Sequence, residues 1–137
     1  MELVYLWVEE YKNIKNQGFN FSPRFECEFF PRYDKDGKLE DNCELKITPK
    51  DYMSIFPDNI NITAIIGENG SGKSTLLSSL LANISLEDIK TIKCFYCLKS
   101  KTIYYELFNI EKIVSPENIK CDNLNNLKDK KYFLLSI

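Results

Sequence analysis

Residues Gly67-Glu68-Asn69-Gly70-Ser71-Gly72-Lys73-Ser74 match G-x-x-x-x-G-K-[ST] at every position, and Thr75 follows directly. This spacing suits the holding of phosphate. Three glycines let the backbone bend so that successive N–H groups converge on phosphate oxygens. A helix opening after the loop turns its positive end, about half an elementary charge, toward the same oxygens. Lys73 is then placed to reach the β- and γ-phosphates as the candidate catalytic cation. Ser74 would ligate Mg²⁺, and Thr75 would donate to the α-phosphate. Gly67 through Thr75 are accordingly the candidate nucleotide-binding residues, with Ser74 the candidate metal ligand. The alternative is a Gly-rich strand-to-helix turn without a ligand. At an average Gly usage of about 7%, a full match by chance in this length is well under about 1 in 100.

Such a loop needs a strand before it and a helix after it. Residues 60–66 read as a buried strand ending at Gly67. Leu76, Leu77, Leu80, Leu81 and Ile84 then fall at helical spacing, with Ser78, Ser79 and Asn83 opposite. Upstream, residues 3–8 are an unbroken apolar run that reads as another buried strand, followed by a polar turn over 9–18. Phe25, Cys27 and Phe29 alternate with Glu26 and Glu28; Cys43, Leu45 and Ile47 alternate with Glu44 and Lys46. With Asp34-Lys35-Asp36-Gly37 between them, these runs predict a β-hairpin with one wet face. Residues 91–98 and 102–108 predict a second hairpin around Lys99-Ser100-Lys101. Residues 48–59 read as a loop, 109–131 as irregular, and 132–137 as a further apolar strand. The expected fold is α/β: a strand–phosphate loop–helix core joined to an antiparallel β-subdomain built from the two hairpins.

At 137 residues the chain is long enough for one domain with a sizeable core and short for two. Eighteen Lys and Arg against twenty Asp and Glu give a net charge of -2, so no strong global field for nucleic acid exists. No apolar run approaches the roughly 18–20 residues that cross a bilayer, and acids, not bases, flank residues 3–8. A cytoplasmic protein without membrane contact is the expectation. Sixteen Lys, two Arg and two Ala read as codon bias from an AT-rich, bacterial genome. The five irregularly spaced cysteines argue against a secreted disulfide framework. The absence of histidine removes His bases, His metal ligands and every Ser-His or Cys-His pair.

Three weaker patterns have ordinary readings beside functional ones. Cys94-Phe95-Tyr96-Cys97 has C-x-x-C spacing, but a zinc site needs four ligands and no second pair is present; buried thiols are the simpler reading. Lys90, Lys93, Lys99 and Lys101, with Tyr96, Tyr104 and Tyr105 nearby, form either a solvated strand face or a nucleic-acid surface. Asp34, Asp36 and Asp41 loosely resemble a cation site, although Asp-Gly turns are usually only turns.

GENGSGKSTLL, with Asn-Gly inside the loop and Ser-Thr-Leu-Leu after the lysine, resembles the ABC-class P-loop ATPases of the RecF and SMC kind. The start of the chain is similar too: an apolar strand ending in an aromatic-Lys-Asn turn, then a hairpin, then the Walker A strand. AAA-family ATPases of the overcoming-lysogenization-defect (OLD) type share this arrangement. The resemblance covers roughly residues 1–85. It implies ATP with Mg²⁺ as ligand and places Tyr11, Lys12 and Asn13 near the adenine or phosphates; the alternative is a solvated turn. It implies a second ATPase head as partner in a homodimer, makes DNA a candidate partner, and points to DNA maintenance or phage defence. A non-catalytic nucleotide-binding regulatory module and a transporter ATPase subunit are the competing readings. The second is disfavoured because the hairpin before the loop looks SMC-like.

Members of that group also use a Walker B strand ending in Asp-Glu, a Gln after the first helix, an LSGG-like signature and often a switch His. These 137 residues contain no Asp-Glu dipeptide and no histidine, and their one glutamine, Gln17, precedes the loop. The resemblance puts those parts beyond position 137, so an N-terminal part of an ATPase head, cut before signature and Walker B, is the expectation. In-line attack on the γ-phosphate needs a group that orients water, which Lys73 and Mg²⁺ do not supply. Purified 1–137 is therefore expected to bind ATP without appreciable turnover. Phosphate release measured beside Lys73→Ala tests this; Lys73-dependent release at about 1 s⁻¹ or more would reveal an unrecognised water-orienting group.

Overall fold

An unbroken apolar run such as residues 3–8 suits a strand covered on both faces. In the computed structural model, which describes residues 1–11, 13–53 and 89–127, that run lies within the first of eight strands. These are β1 (Glu2–Tyr11), β2 (Ile14–Asn20), β3 (Phe25–Phe30), β4 (Cys43–Pro49), β5 (Thr91–Cys97), β6 (Thr102–Phe108), β7 (Ile113–Val114) and β8 (Cys121–Asn123). They form a five-stranded sheet in the order β2-β1-β5-β6-β8 and a three-stranded sheet in the order β3-β4-β7. β1 pairs antiparallel with β2 on one edge and with β5 on the other, and Val4 through Val8 are no more than 2% exposed.

Alternation along each strand sends side chains to opposite faces, which decides what each sheet covers. Tyr5, Trp7, Ile92, Cys94 and Ile103 of the larger sheet meet Phe25, Cys27, Phe29, Leu45 and Ile47 of the smaller one in a shared core. Trp7 meets Phe29 edge to face at 4.7 Å, and Phe25 meets Tyr96 likewise at 4.8 Å. Leu6, Val8 and Ile14 form a second buried cluster, with Phe19 and Phe21 packed against it. β1 thus contributes to both clusters.

Side chains, not strand pairing, join the two sheets. Among the described residues β3 is an edge strand, and its outward backbone groups need partners. The Tyr5 hydroxyl accepts the Phe29 N–H (3.1 Å). Asn20 accepts the Cys27 N–H (2.7 Å) and donates to the Cys27 carbonyl (3.0 Å), standing in for a neighbouring strand. Tyr5 reaches β3 across Gly18, where a Cβ would overlap the phenol ring and hydroxyl.

The alternation at 25–30 and 43–49 gives the antiparallel pair β3–β4 with Phe25, Cys27, Phe29, Cys43, Leu45 and Ile47 inward. Its connection is longer than a tight turn. Asp34 accepts the N–H groups of Asp36 and Lys38 on one carboxylate oxygen, both at 2.9 Å, and Gly37 takes φ 77°. The second hairpin, β5–β6, also forms. The two hairpins lie in different sheets, so they do not make one antiparallel subdomain by pairing with each other. The polar turn expected over 9–18 is instead a hairpin of β1 and β2, with Tyr11 paired to Ile14 across a two-residue connection. Its polar residues misled because they lie largely on the exposed part of an edge strand. The stretch 109–131, expected irregular, contains β7 and β8, which pair parallel with β4 and β6. Strands of two and three residues are too short for periodicity to reveal. The strand at 60–66, the helix over 76–84 and the strand at 132–137 lie outside the described residues.

Gly18→Ala should lower stability by about 1–3 kcal/mol, the usual cost of forcing a methyl into filled space. Chemical denaturation of both proteins measures it; equal midpoints would mean that Tyr5 does not lie over Gly18.

Candidate functional site

The phosphate loop, Gly67 to Thr75, lies outside the described residues, as does Lys12. Asn13, the other candidate from the aromatic-Lys-Asn turn, is exposed in the connection between β1 and β2. Tyr11 is half-buried against the Leu6, Val8 and Ile14 cluster. The turn is therefore mixed, with Tyr11 packed into the fold and Asn13 facing solvent.

The chain on either side of residues 54–88 is described, and both ends are held to β1. On the entering side, Tyr52 lies under the Arg24 guanidinium, 5.0 Å from ring centroid to Cζ. The Arg24 Nε is 3.2 Å from the Glu2 carboxylate, whose other oxygen accepts from Ser22. The Arg24 carbonyl accepts the Lys50 N–H at 2.8 Å. On the returning side, the Glu9 N–H donates to the Lys90 carbonyl at 3.0 Å, and the Lys90 Nζ is 3.2 Å from the Glu9 carboxylate. Asn109 donates from Nδ2 to the Ile89 carbonyl at 3.0 Å. Glu2 and Glu9 belong to the same strand, so the flanks are attached near its two ends. Sequence reading missed these attachments. Their partners lie far apart in the chain, and single charged residues among many gave no signal.

The weaker patterns are decided by geometry. Cys94 and Cys97 are three residues apart on β5, so they point to opposite faces and cannot share a metal ion. Among the described residues no group of three or more Cys, Asp or Glu is arranged to hold a metal ion. The Asp34 carboxylate is engaged by its own turn. Lys90 is paired with Glu9, and Lys93 lies opposite Glu106. Tyr96 and Tyr105 pack against the shared core, while Tyr104 packs with Phe95 and Leu124 on the other face. These tyrosines present no common stacking surface.

The thiols divide by environment. Burial pushes Cys27 up to about 12 and Cys121 up to about 11, and it raises the fully buried Cys94 strongly. At Cys97 slight burial also raises the thiol, but hydrogen bonds from the Ser100 hydroxyl and from the backbone of Ser100 and Lys99 outweigh it. The net effect lies below the ordinary thiol value.

A model of the ABC transporter family matches residues 54–94, which contain the whole phosphate-loop motif and run on through Lys90 to Cys94 of β5. The match supports an ABC-type, nucleotide-binding ATPase module, with ATP and typically Mg²⁺ as its ligands. No curated protein and no solved structure matches the chain. Among the described residues no helix is long and apolar enough to cross a membrane.

Because the thiolate is the reacting form, iodoacetamide at pH 8 should modify Cys97 well before Cys27 or Cys94 in the folded protein. Peptide mapping over time reads the order, and comparable rates at Cys97 and Cys94 would contradict it.

Proposed function

We propose that this chain binds ATP with Mg²⁺ as part of an ABC-type ATPase head of the RecF, SMC or OLD-like kind. One observation carries the reading: an unbroken G-x-x-x-x-G-K-[ST] motif lies inside the residues that the family model matches. In this reading the backbone of Gly67–Gly72 cradles the phosphates, Lys73 pairs with the β- and γ-oxygens, Ser74 ligates Mg²⁺ and Thr75 donates to the α-phosphate. The core that holds them is of the strand–loop–helix type. Asn13 is exposed at the tip of the β1–β2 hairpin, and with Lys12 it is the part of the turn assigned to the nucleotide in this reading.

A second head of the same kind as partner, a place in the cytoplasm, and work in DNA maintenance or phage defence complete the proposal. These steps rest on the resemblance of GENGSGKSTLL and of the opening strand and turn. The competing reading is a non-catalytic regulatory module that binds nucleotide without turning it over.

Lys73→Ala should weaken ATP-Mg²⁺ binding about ten- to a hundredfold, the worth of a charge-assisted hydrogen bond of roughly 1.5–3 kcal/mol. Titration with a fluorescent ATP analogue measures this, and equal affinities for the two proteins would overturn the assignment.

A further inference from the structure

We infer that the peptide bond between Asp36 and Gly37 is a site of spontaneous backbone isomerisation, and that the Asp34 carboxylate holds it in check. Asp36 is the one aspartate of this sequence that precedes a glycine. The pair lies in the connection between β3 and β4, where residues 32–38 are all exposed. A methyl group built on Gly37 would meet nothing within 4 Å. Neither a side chain of its own nor a neighbour therefore shields the Gly37 nitrogen.

When that nitrogen attacks the Asp36 Cγ, an N–C bond forms, and the amide proton leaves with the carboxyl OH as water. Water then opens the resulting cyclic imide at either carbonyl. Opening at Cγ restores aspartate; opening at the backbone carbonyl routes the chain through Cβ and Cγ as an isoaspartyl residue. The reaction needs no oxidant, metal or second protein. The folded turn opposes it. The Gly37 N–H donates to the Asp34 carbonyl at 3.0 Å, which pins the peptide plane so that its nitrogen is not free to turn toward Cγ. One Asp34 carboxylate oxygen accepts the N–H groups of Asp36 and Lys38, both at 2.9 Å, and the Asp34 N–H donates to the Lys38 carbonyl at 2.8 Å. Asp34 thus braces the chain on both sides of the susceptible bond, and reaction waits on local opening of the turn. The isomer would lengthen the backbone beside the Tyr33–Leu39 bridge, between strands that supply Phe29 and Leu45 to the shared core.

The test is incubation at pH 6 and 37 °C followed by peptide mapping over time, which separates isoaspartyl from aspartyl peptides of equal mass. Conversion at Asn69-Gly70 exchanges an amide for an acid and changes the mass, so it is counted apart. Asp34→Ala should isomerise at Asp36 about tenfold faster than the starting protein, the worth of a hydrogen-bonded carboxylate in local opening. Asp34→Asn, which keeps an accepting oxygen, should stay within about threefold of the starting protein. In urea the starting protein and Asp34→Ala should react equally and faster than the folded starting protein, and Gly37→Ala should be slow there because a methyl group now covers the nitrogen. Thermal unfolding is recorded for every variant. Equal rates for folded starting protein and Asp34→Ala, or a folded starting protein as fast as in urea, overturn the restraint by Asp34. A chain that forms no isomer at Asp36 even in urea overturns the site.

Discussion

β1 is hydrogen-bonded along both edges and buried on both faces, and the described fold depends on that double constraint. A strand in this position can present no polar side chain to water over its middle, which is why Val4–Val8 are apolar or aromatic. The polar atoms that do occur there are used internally. The Trp7 indole N–H donates to the Asn16 side chain at 3.0 Å, and the Tyr5 hydroxyl accepts from β3. Asn16 takes φ 45°, a left-handed conformation that asparagine tolerates better than most residues.

From β1 the two sheets acquire their relation. Tyr5 lies on its inward face, Asn20 lies opposite Tyr5 on β2, and both reach the open edge of β3. An exposed edge of this kind would otherwise invite pairing with another chain. Closing it with side chains keeps β3 attached while leaving the two sheets free to differ in strand direction. Burial of the Tyr5 phenol raises its ionisation well above the ordinary tyrosine value, so the hydroxyl stays neutral across the physiological range.

The same strand anchors the described chain on either side of residues 54–88. The motif that defines the chemistry is local, but its flanks are tied to distant residues by contacts of different kinds: cation on ring, carboxylate on ammonium, amide on carbonyl. Individually these are modest interactions. Their joint effect comes from acting on one stiff element, whose length sets how far apart the two flanks stand.

Local pattern was enough for much of this. The G-x-x-x-x-G-K-[ST] motif was legible because such a motif is defined by residue types at fixed spacing within a few positions. The inward faces of β3 and β4 were legible because a half-buried strand must alternate. Tertiary structure decided the rest. The β1–β2 hairpin escaped notice because β2 is an edge strand whose mostly exposed residues carry no apolar period. β7 and β8 escaped because two or three residues have no period at all. The division of the two hairpins between facing sheets depends on which strands pair across long sequence separations. So does the attachment of Tyr52 and Lys90 to opposite ends of β1: a sequence states which charges and rings exist, whereas only the folded chain brings particular ones within reach.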